Sequence, residues 1–395
     1  MTSKRSPNFS AGRLFYFWRG RVALYAILKA LGIGAGDQVV APGFTCVAVA
    51  NAIMYTGAEP LYADIEPDTY NVSRATIEPR LTPRVKAVIV QSSFGLSADL
   101  DPILALASSA GIPVVEDCAH GLGGSYKGRD NGTVADAAFF STQWSKPIST
   151  GLGGIAFVRD PVLAGRLETM VAGIPAPPLS DQLLLRAQMV ARRLGDRPAL
   201  YYPLVSGYRW LTQKAGLPVG SSSGQELTGT VMPKRFLQRM SDFQRRHWEQ
   251  EQSGIQAAVA RRRAVAARYD GFLSGTGLQA PLQPDYADHS MLRYTVRVDD
   301  KPEMLARARR FRLPLGDWFR SPLHSVEGDL GPWRYEPGAC PEAERACREA
   351  VNLLTDQPLV REDLVRLFAG VAAPGTPSVA PRMSAGRGNV YAPEP

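Results

Sequence analysis

The chain has 395 residues, 45% of them hydrophobic and 21% charged, which is the composition of a globular protein long enough for one large and one smaller domain. No apolar run approaches a membrane span, and the four cysteines, Cys46, Cys118, Cys340 and Cys347, form neither a C-x-x-C pair nor a zinc-spaced cluster with histidine. That excludes an integral membrane segment, a disulfide scaffold and a resident metal. The net charge of +8 suits an acidic small molecule, nucleic acid or simple solubility and does not choose among them.

Residues 1–12 read as an irregular arm, polar and without an apolar signal region, so a cytoplasmic protein with free thiols is expected. From Gly20 the pattern turns helical, with Leu24, Ile27, Leu28 and Leu31 on one face and Gly32 and Gly34 as the stop. Helix N-termini carry unpaired N–H groups and partial positive charge, so Gly20-Arg21-Val22 is a candidate phosphate cradle. The Gly32-x-Gly34-x-Gly36 run follows a helix and precedes a strand, the wrong context for a dinucleotide fingerprint.

Strands are predicted at 38–42, 61–65, 85–90 and 112–117, with helical segments at 47–54, 74–80 and 99–110 between them. This alternation specifies right-handed βαβ units on a mostly parallel sheet, in which ligands bind beyond the carboxyl ends of the strands. Asp117 falls at one such end and Ser141, after Phe139-Phe140, at another. Lys146 follows, and the turn at Gly151, Gly153 and Gly154 leads into a second apolar strand at 155–158. Residues 161–232 read as a helical insertion suited to core or dimer packing, with a flexible Gly/Ser loop at 219–224. Residues 234–270 form a long basic helical stretch, in which one or two arginines are candidates to meet an anionic substrate or a neighbouring subunit. It carries no nucleic-acid-binding motif. Beyond it, a strand at 292–298, a helix at 302–310, an extended segment at 313–318 and helices at 343–354 and 363–368 describe a smaller α+β domain. The expected organisation is therefore arm 1–12, large domain 13–235, smaller domain 236–370 and a Pro/Gly/Ala/Ser-rich disordered tail at 371–395.

The chemistry-bearing residues converge. A pyridoxal phosphate (PLP) site needs a lysine amine for the cofactor aldehyde and a carboxylate that keeps the pyridine nitrogen protonated. It also needs hydroxyls and helix-terminal amides for the phosphate, and a donor near the ring hydroxyl. Lys146, Asp117, Ser141 with Gly20-Arg21-Val22, and His120 supply these in turn. Singly, each residue has an ordinary reading as a loop lysine, a helix cap, a strand-end hydroxyl or a satisfied core histidine. Jointly those readings lose ground.

On these residues, and on Gly36-Asp37-Gln38-Val39-Val40-Ala41-Pro42, Ala50-Asn51-Ala52-Ile53, Gly57-Ala58-Glu59-Pro60, Ala98-Asp99-Leu100-Asp101 and Glu116-Asp117-Cys118-Ala119-His120, the chain resembles the DegT/StrS-type nucleotide-sugar aminotransferases. The resemblance implies an α/β fold type I PLP-dependent transferase, with a mostly parallel seven-stranded-type sheet flanked by helices plus a smaller C-terminal α+β domain. It implies a homodimer with active sites at the subunit interface, and transamination from an amino donor, usually glutamate, to a nucleotide-linked keto sugar in polysaccharide or secondary-metabolite biosynthesis. Lys146 and Asp117 become the catalytic pair, and Gly20, Arg21, Val22, Cys46, Asp117, His120, Ser141 and Lys146 the cofactor set. The lysine argues against the sugar dehydratases of the family, in which histidine replaces it. The chain departs from the family pattern at five places: Arg19 and Arg21 flank Gly20 where a Ser-Gly-Thr triplet is common, Cys46 stands where an aromatic is common, Thr142-Gln143 replace Phe-His, Leu152 replaces a glutamate, and the 161–232 insertion is longer than the common form. Two other readings accompany this one: a different PLP reaction on the same fold, and a non-catalytic regulatory protein.

Overall fold

The structure is a computed structural model that describes residues 7–195, 226–371 and 373–374. The predicted tail from 375 onward, the loop at 219–224 and most of the second half of the predicted insertion lie outside the described residues.

A seven-stranded sheet organises the large domain. Its strands are β1 (Arg13–Phe17), β2 (Gln38–Pro42), β4 (Glu59–Ala63), β5 (Val85–Gln91), β6 (Val114–Asp117), β9 (Ala137–Ser141) and β10 (Gly154–Val158), in the spatial order β1-β10-β9-β6-β5-β2-β4. The two-residue strand β3 (Thr45–Cys46) and the small ribbon of β7 (Ser125–Tyr126) and β8 (Arg129–Asp130) lie outside it. Strands β4, β2, β5, β6 and β9 pair in parallel, and β10 is antiparallel to both β9 and β1. Such a sheet is covered on both faces, so its strands are near-continuous apolar runs; β10 is buried throughout.

Helix α1 (Gly20–Ala30) buries Val22, Ala23, Leu24, Ala26, Ile27 and Leu28, because the sheet, α2 (Val47–Met54) and α5 (Pro161–Ala172) enclose it. It ends where Gly32 takes φ +84° and Ile33 N–H donates to Leu28 O (3.0 Å), a glycine-terminated cap. The remaining crossover segments are α3 (Arg74–Ile77) and α4 (Leu100–Ser109). α5 buries Leu163, Ala164 and Leu167 in the same core, so the start of the predicted insertion is an ordinary layer of the domain. α6 (Leu179–Gly195) follows it. The described part of the arm, residues 7–12, has no strand or helix, yet Phe9 packs on Phe140 and Phe157 (5.4 and 5.3 Å between ring centroids).

Two expectations are corrected. The basic stretch 234–270 is not one helix. Residues 234–241 lack a helix, α7 (Asp242–Glu251) starts at a Ser241/Gln244 capping box, and a 3-10 turn at Gln252–Gly254 separates it from α8 (Ile255–Leu273). Glycine and serine at this junction weaken helix continuation. Second, the predicted helix 343–354 ends at Glu349. α10 (Pro341–Glu349) gives way to strand β15 (Ala350–Leu354), the centre of a three-stranded sheet between β12 (Arg293–Arg297) and β13 (Leu315–Gly316). Ala343, Ala346, Cys347, Ala350, Val351 and Leu354 keep helical spacing, and only the partner strands on either side decide the extended form. Helices α9 (Lys301–Phe311) and α11 (Arg361–Phe368) complete the smaller domain's core around Tyr294, Val296, Met304, Val351 and Leu367. β11 (Ala287–Asp288) joins the β7–β8 ribbon, and β14 (Leu323–His324) pairs with β3, which ties the smaller domain to the backbone of Cys46.

Candidate active site

Four segments meet at the carboxyl edge of the sheet: the ends of β6 and β9, the N-terminus of α1, and the start of α2. The cleft between them is lined by Gly20, Arg21, Cys46, Asp117, Ser141 and Lys146, together with Arg19, Ala119, Gln143 and Leu152. Local sequence permits this approach. A Cβ on Gly154 would lie 2.3 Å from Arg19 O and 2.5 Å from the Cα of Gly20, so only glycine lets α1 start against β10. Gly20 is also tight, since its Cβ would fall 3.2 Å from that of Ser141. The first N–H groups paired back within α1 are those of Val22 and Ala23, both to Arg19 O. The amides of Gly20 and Arg21 are the leading donors at the cleft. The Val22 amide is thus engaged inside the helix and its side chain is core, which removes it from the expected cradle.

Asp117 is 3% exposed, and its Oδ1 accepts the Ala119 N–H (2.9 Å). Burial raises its carboxyl to about 6, against the opposing pull of that N–H and of Lys146. The neighbouring Glu116 faces away and accepts N–H bonds from Gly132, Val134 and Ala135 (2.8 Å each), pinning the connection that returns to β9. Glu116 positions the Asp117 strand end, a role that nothing in the sequence pattern marked.

Lys146 sits in the turn after β9, its N–H donating to Gln143 O (2.9 Å). Desolvation lowers its ammonium to about 8; Cys46 and Asp117 oppose that shift and Arg293 adds to it. The loop is held by Thr142 N–H to Gly153 O (3.1 Å), Thr150 N–H to Thr142 O (2.8 Å) and the contact between their hydroxyls (2.6 Å). Gln244 of α7 donates to Leu152 O (2.6 Å). The lysine therefore projects from a braced turn.

Arg21 is buried and ion-paired with the buried Glu226. Arg19 stacks over the Phe236 ring (4.2 Å), and its Nε has no hydrogen-bond partner among the described residues. Burial lowers both guanidinium groups to about 10. Two buried arginines over the Phe236 ring, one of them paired with Glu226, lie next to the start of α1 and the Ser141 hydroxyl, a donor set that fits a phosphate.

His120 is placed differently from the other predicted residues. It stacks in parallel on Trp318 (5.1 Å, 8°) and near Phe94 (6.2 Å), with Lys146 close by. Burial, with Lys146, Arg293 and His324 nearby, pushes its imidazole well below the usual range, so it is neutral, and its Nδ1 has no partner among the described residues. Trp318 and Glu226 are the site residues that the sequence reading did not single out, whereas Arg19 and Gln143 entered it only as departures from the family pattern.

A lysine, a buried carboxylate, a phosphate-fitting helix start and the sheet topology together define a fold type I PLP-dependent aminotransferase. The chain belongs to the DegT/DnrJ/EryC1/StrS aminotransferase family, which it matches over residues 18–176 and 233–372. It is 32% identical over 338 residues to the UDP-2-acetamido-2-deoxy-3-oxo-D-glucuronate aminotransferase of Pseudomonas aeruginosa, covering 85% of this chain and 78% of that one. It is 33% identical over 311 residues to the L-glutamine:2-deoxy-scyllo-inosose aminotransferase of Streptomyces fradiae, covering 79% and 61%. Among solved structures, the aminotransferase TlmJ from Streptoalloteichus hindustanus superposes with a TM-score of 0.67 at 27% identity, over 90% of this chain and 83% of that one. No helix among the described residues is long and apolar enough to cross a membrane.

Proposed function

We propose that this aminotransferase moves an amino group from glutamate to the ketone of a sugar linked to a nucleoside diphosphate, and that it works as a cytoplasmic homodimer. The observation that carries the reading is the single cleft shared by Lys146, Asp117, Ser141 and the start of α1. The similarity to an enzyme named for a UDP-linked keto sugar supports the acceptor class. The bound cofactor would supply the aldehyde for the amine and an electron sink for the carbanion.

In this assignment the Lys146 amine would hold the cofactor aldehyde and would be the base that takes up and returns a proton. An ammonium lowered to about 8 leaves an appreciable unprotonated fraction near neutral pH, as a nucleophile and general base requires. Asp117 would hold the pyridine nitrogen protonated; a buried carboxylate whose charge lacks solvation gains most from a cation placed against it. The start of α1 at Gly20 and Arg21, the Arg21 guanidinium and Ser141 would hold the phosphate. Cys46 and Ala119 line the cleft beside the ring, where the small Cys46 leaves room that an aromatic would fill. His120, stacked on Trp318 and near Lys146, would orient the cofactor or support Asp117.

The test is the donor half-reaction. Glutamate should convert the cofactor's absorbance to that of its amine form and release one equivalent of 2-oxoglutarate, and a nucleotide-linked keto sugar should restore the original band. A wild-type protein that binds the cofactor yet releases no 2-oxo acid with glutamate or glutamine would overturn the aminotransfer reading. The glutamine arm matters because the Streptomyces fradiae relative is named for that donor.

A further inference from the structure

A buried ammonium in the smaller domain has no evident purpose in folding. Lys301, at the start of α9, is 4% exposed, and no carboxylate pairs with it among the described residues. Its Nζ donates instead to three carbonyls, those of Asp317 (3.2 Å), Phe319 (3.0 Å) and Cys347 (2.9 Å). All three ammonium protons are thereby used. Two of these carbonyls belong to the residues on either side of Trp318.

The Trp318 backbone is held from a further direction. Its N–H donates to Asn352 Oδ1 (2.8 Å), and the fully buried Asn352 is itself oriented by donating to Thr295 Oγ1 (3.0 Å). The segment 317–319 is thus fixed by side chains from α9 and from β15. Burying a cation and an amide to hold a loop is costly, and such a fully satisfied polar network specifies one arrangement of what it grips.

What it grips is the indole of Trp318. The ring lies parallel to His120 at 5.1 Å. The Lys146 Nζ stands 5.2 Å from its centroid, and the Arg293 guanidinium 4.8 Å from it. The smaller domain therefore presents an aromatic face to the lysine that the large domain supplies. An indole face attracts a cation within about 6 Å of its centroid, more strongly where water is excluded.

We infer that Trp318, clamped by Lys301 and Asn352, is a positioning residue that walls the Lys146 amine on the smaller-domain side and stabilises its protonated state and that of the cofactor linkage it forms. The inference rests on the reading of Lys146 as the cofactor lysine.

The experiment follows the cofactor–lysine absorbance band against pH in the cofactor-loaded enzyme, with no turnover needed. Trp318→Leu removes the aromatic face, and its titration midpoint should fall by about half a pH unit. Trp318→Phe keeps an aromatic face and should stay near wild type. Lys301→Met, which retains the chain and loses the ammonium, should shift the midpoint in the same direction as Trp318→Leu. Tryptophan emission supplies a second readout. The difference between wild type and Trp318→Phe isolates the Trp318 signal, which the bound cofactor should quench in wild type and quench less in Lys301→Met. If Lys301→Met does not fold, Lys301→Gln, which keeps two donor protons, takes its place.

A Trp318→Leu midpoint equal to that of wild type overturns the wall. A shift in Trp318→Leu, with Lys301 variants matching wild type in both midpoint and emission, overturns the clamp. A wild-type protein that forms no cofactor–lysine band at all fails the underlying reading instead, so the two failures are distinct.

Discussion

Asp117→Asn should make the cofactor-free protein more stable while weakening its hold on the cofactor. Asp117 is almost fully buried, and burial raises its carboxyl from 3.8 to about 6. A group whose folded pKa lies above its unfolded value contributes fully below the unfolded pKa, and that contribution is lost as pH rises through the folded one. The window is therefore roughly pH 4 to 6, and above it the ionised carboxylate costs about 3 kcal/mol. Asparagine has nearly the same shape, can still accept the Ala119 N–H, and carries no charge to desolvate. Chemical denaturation of the apoprotein should show the variant gaining about 3 kcal/mol over wild type at pH 8, and only about 0.5 kcal/mol at pH 4. Cofactor affinity should move the other way, because a neutral amide does not hold a proton on the pyridine nitrogen. A variant less stable than wild type at pH 8, or a stability difference that does not change with pH, would refute the reasoning.

Three further outcomes follow from the geometry. Lys146→Ala should abolish the cofactor–lysine absorbance band, and in wild type the rate of cofactor capture by the apoprotein should climb with pH and level off above about 8, as the amine loses its proton; stopped-flow absorbance reads both. Gly154→Ala should destabilise the fold by about 2–3 kcal/mol in denaturant titrations, since the added methyl meets Arg19 O at 2.3 Å and both segments are held by the sheet. Arg21→Leu should cost about 3–5 kcal/mol by removing the guanidinium from the buried Glu226, whereas Arg21→Leu with Glu226→Leu should recover most of that loss in thermal unfolding yet bind the cofactor more weakly than wild type in equilibrium dialysis.

Much of the large domain was legible in the chain because its signals are local. Apolar runs such as Val85–Val90 and Val114–Val115, spaced by amphipathic helices, report a buried parallel sheet without reference to distant residues. Lys146, Asp117 and Ser141 could be placed because strand ends in such a sheet share one edge. Less legible were features that depend on a partner far along the chain. Ala350–Leu354 has helical spacing, and only β12 and β13 turn it into a strand. His120 was expected in the cofactor set, and its stack on Trp318, a residue 198 positions away, is a contact that no local pattern announced. The Val22 amide was expected to be free, and the helix's own first turn engages it.

By itself the sequence determined the βαβ alternation and the strand ends at which Lys146 and Asp117 stand as candidates, with the glycine turn that follows the lysine. These follow from period, turn chemistry and steric allowance, which act over a few residues. Tertiary structure alone decided which charges meet. Glu226 lies 205 positions from Arg21, and Lys301 grips a loop that begins 16 residues later and reaches across to Cys347. A buried ion pair, or an ammonium held by three carbonyls, depends on where the backbone delivers each group, and no local pattern encodes that.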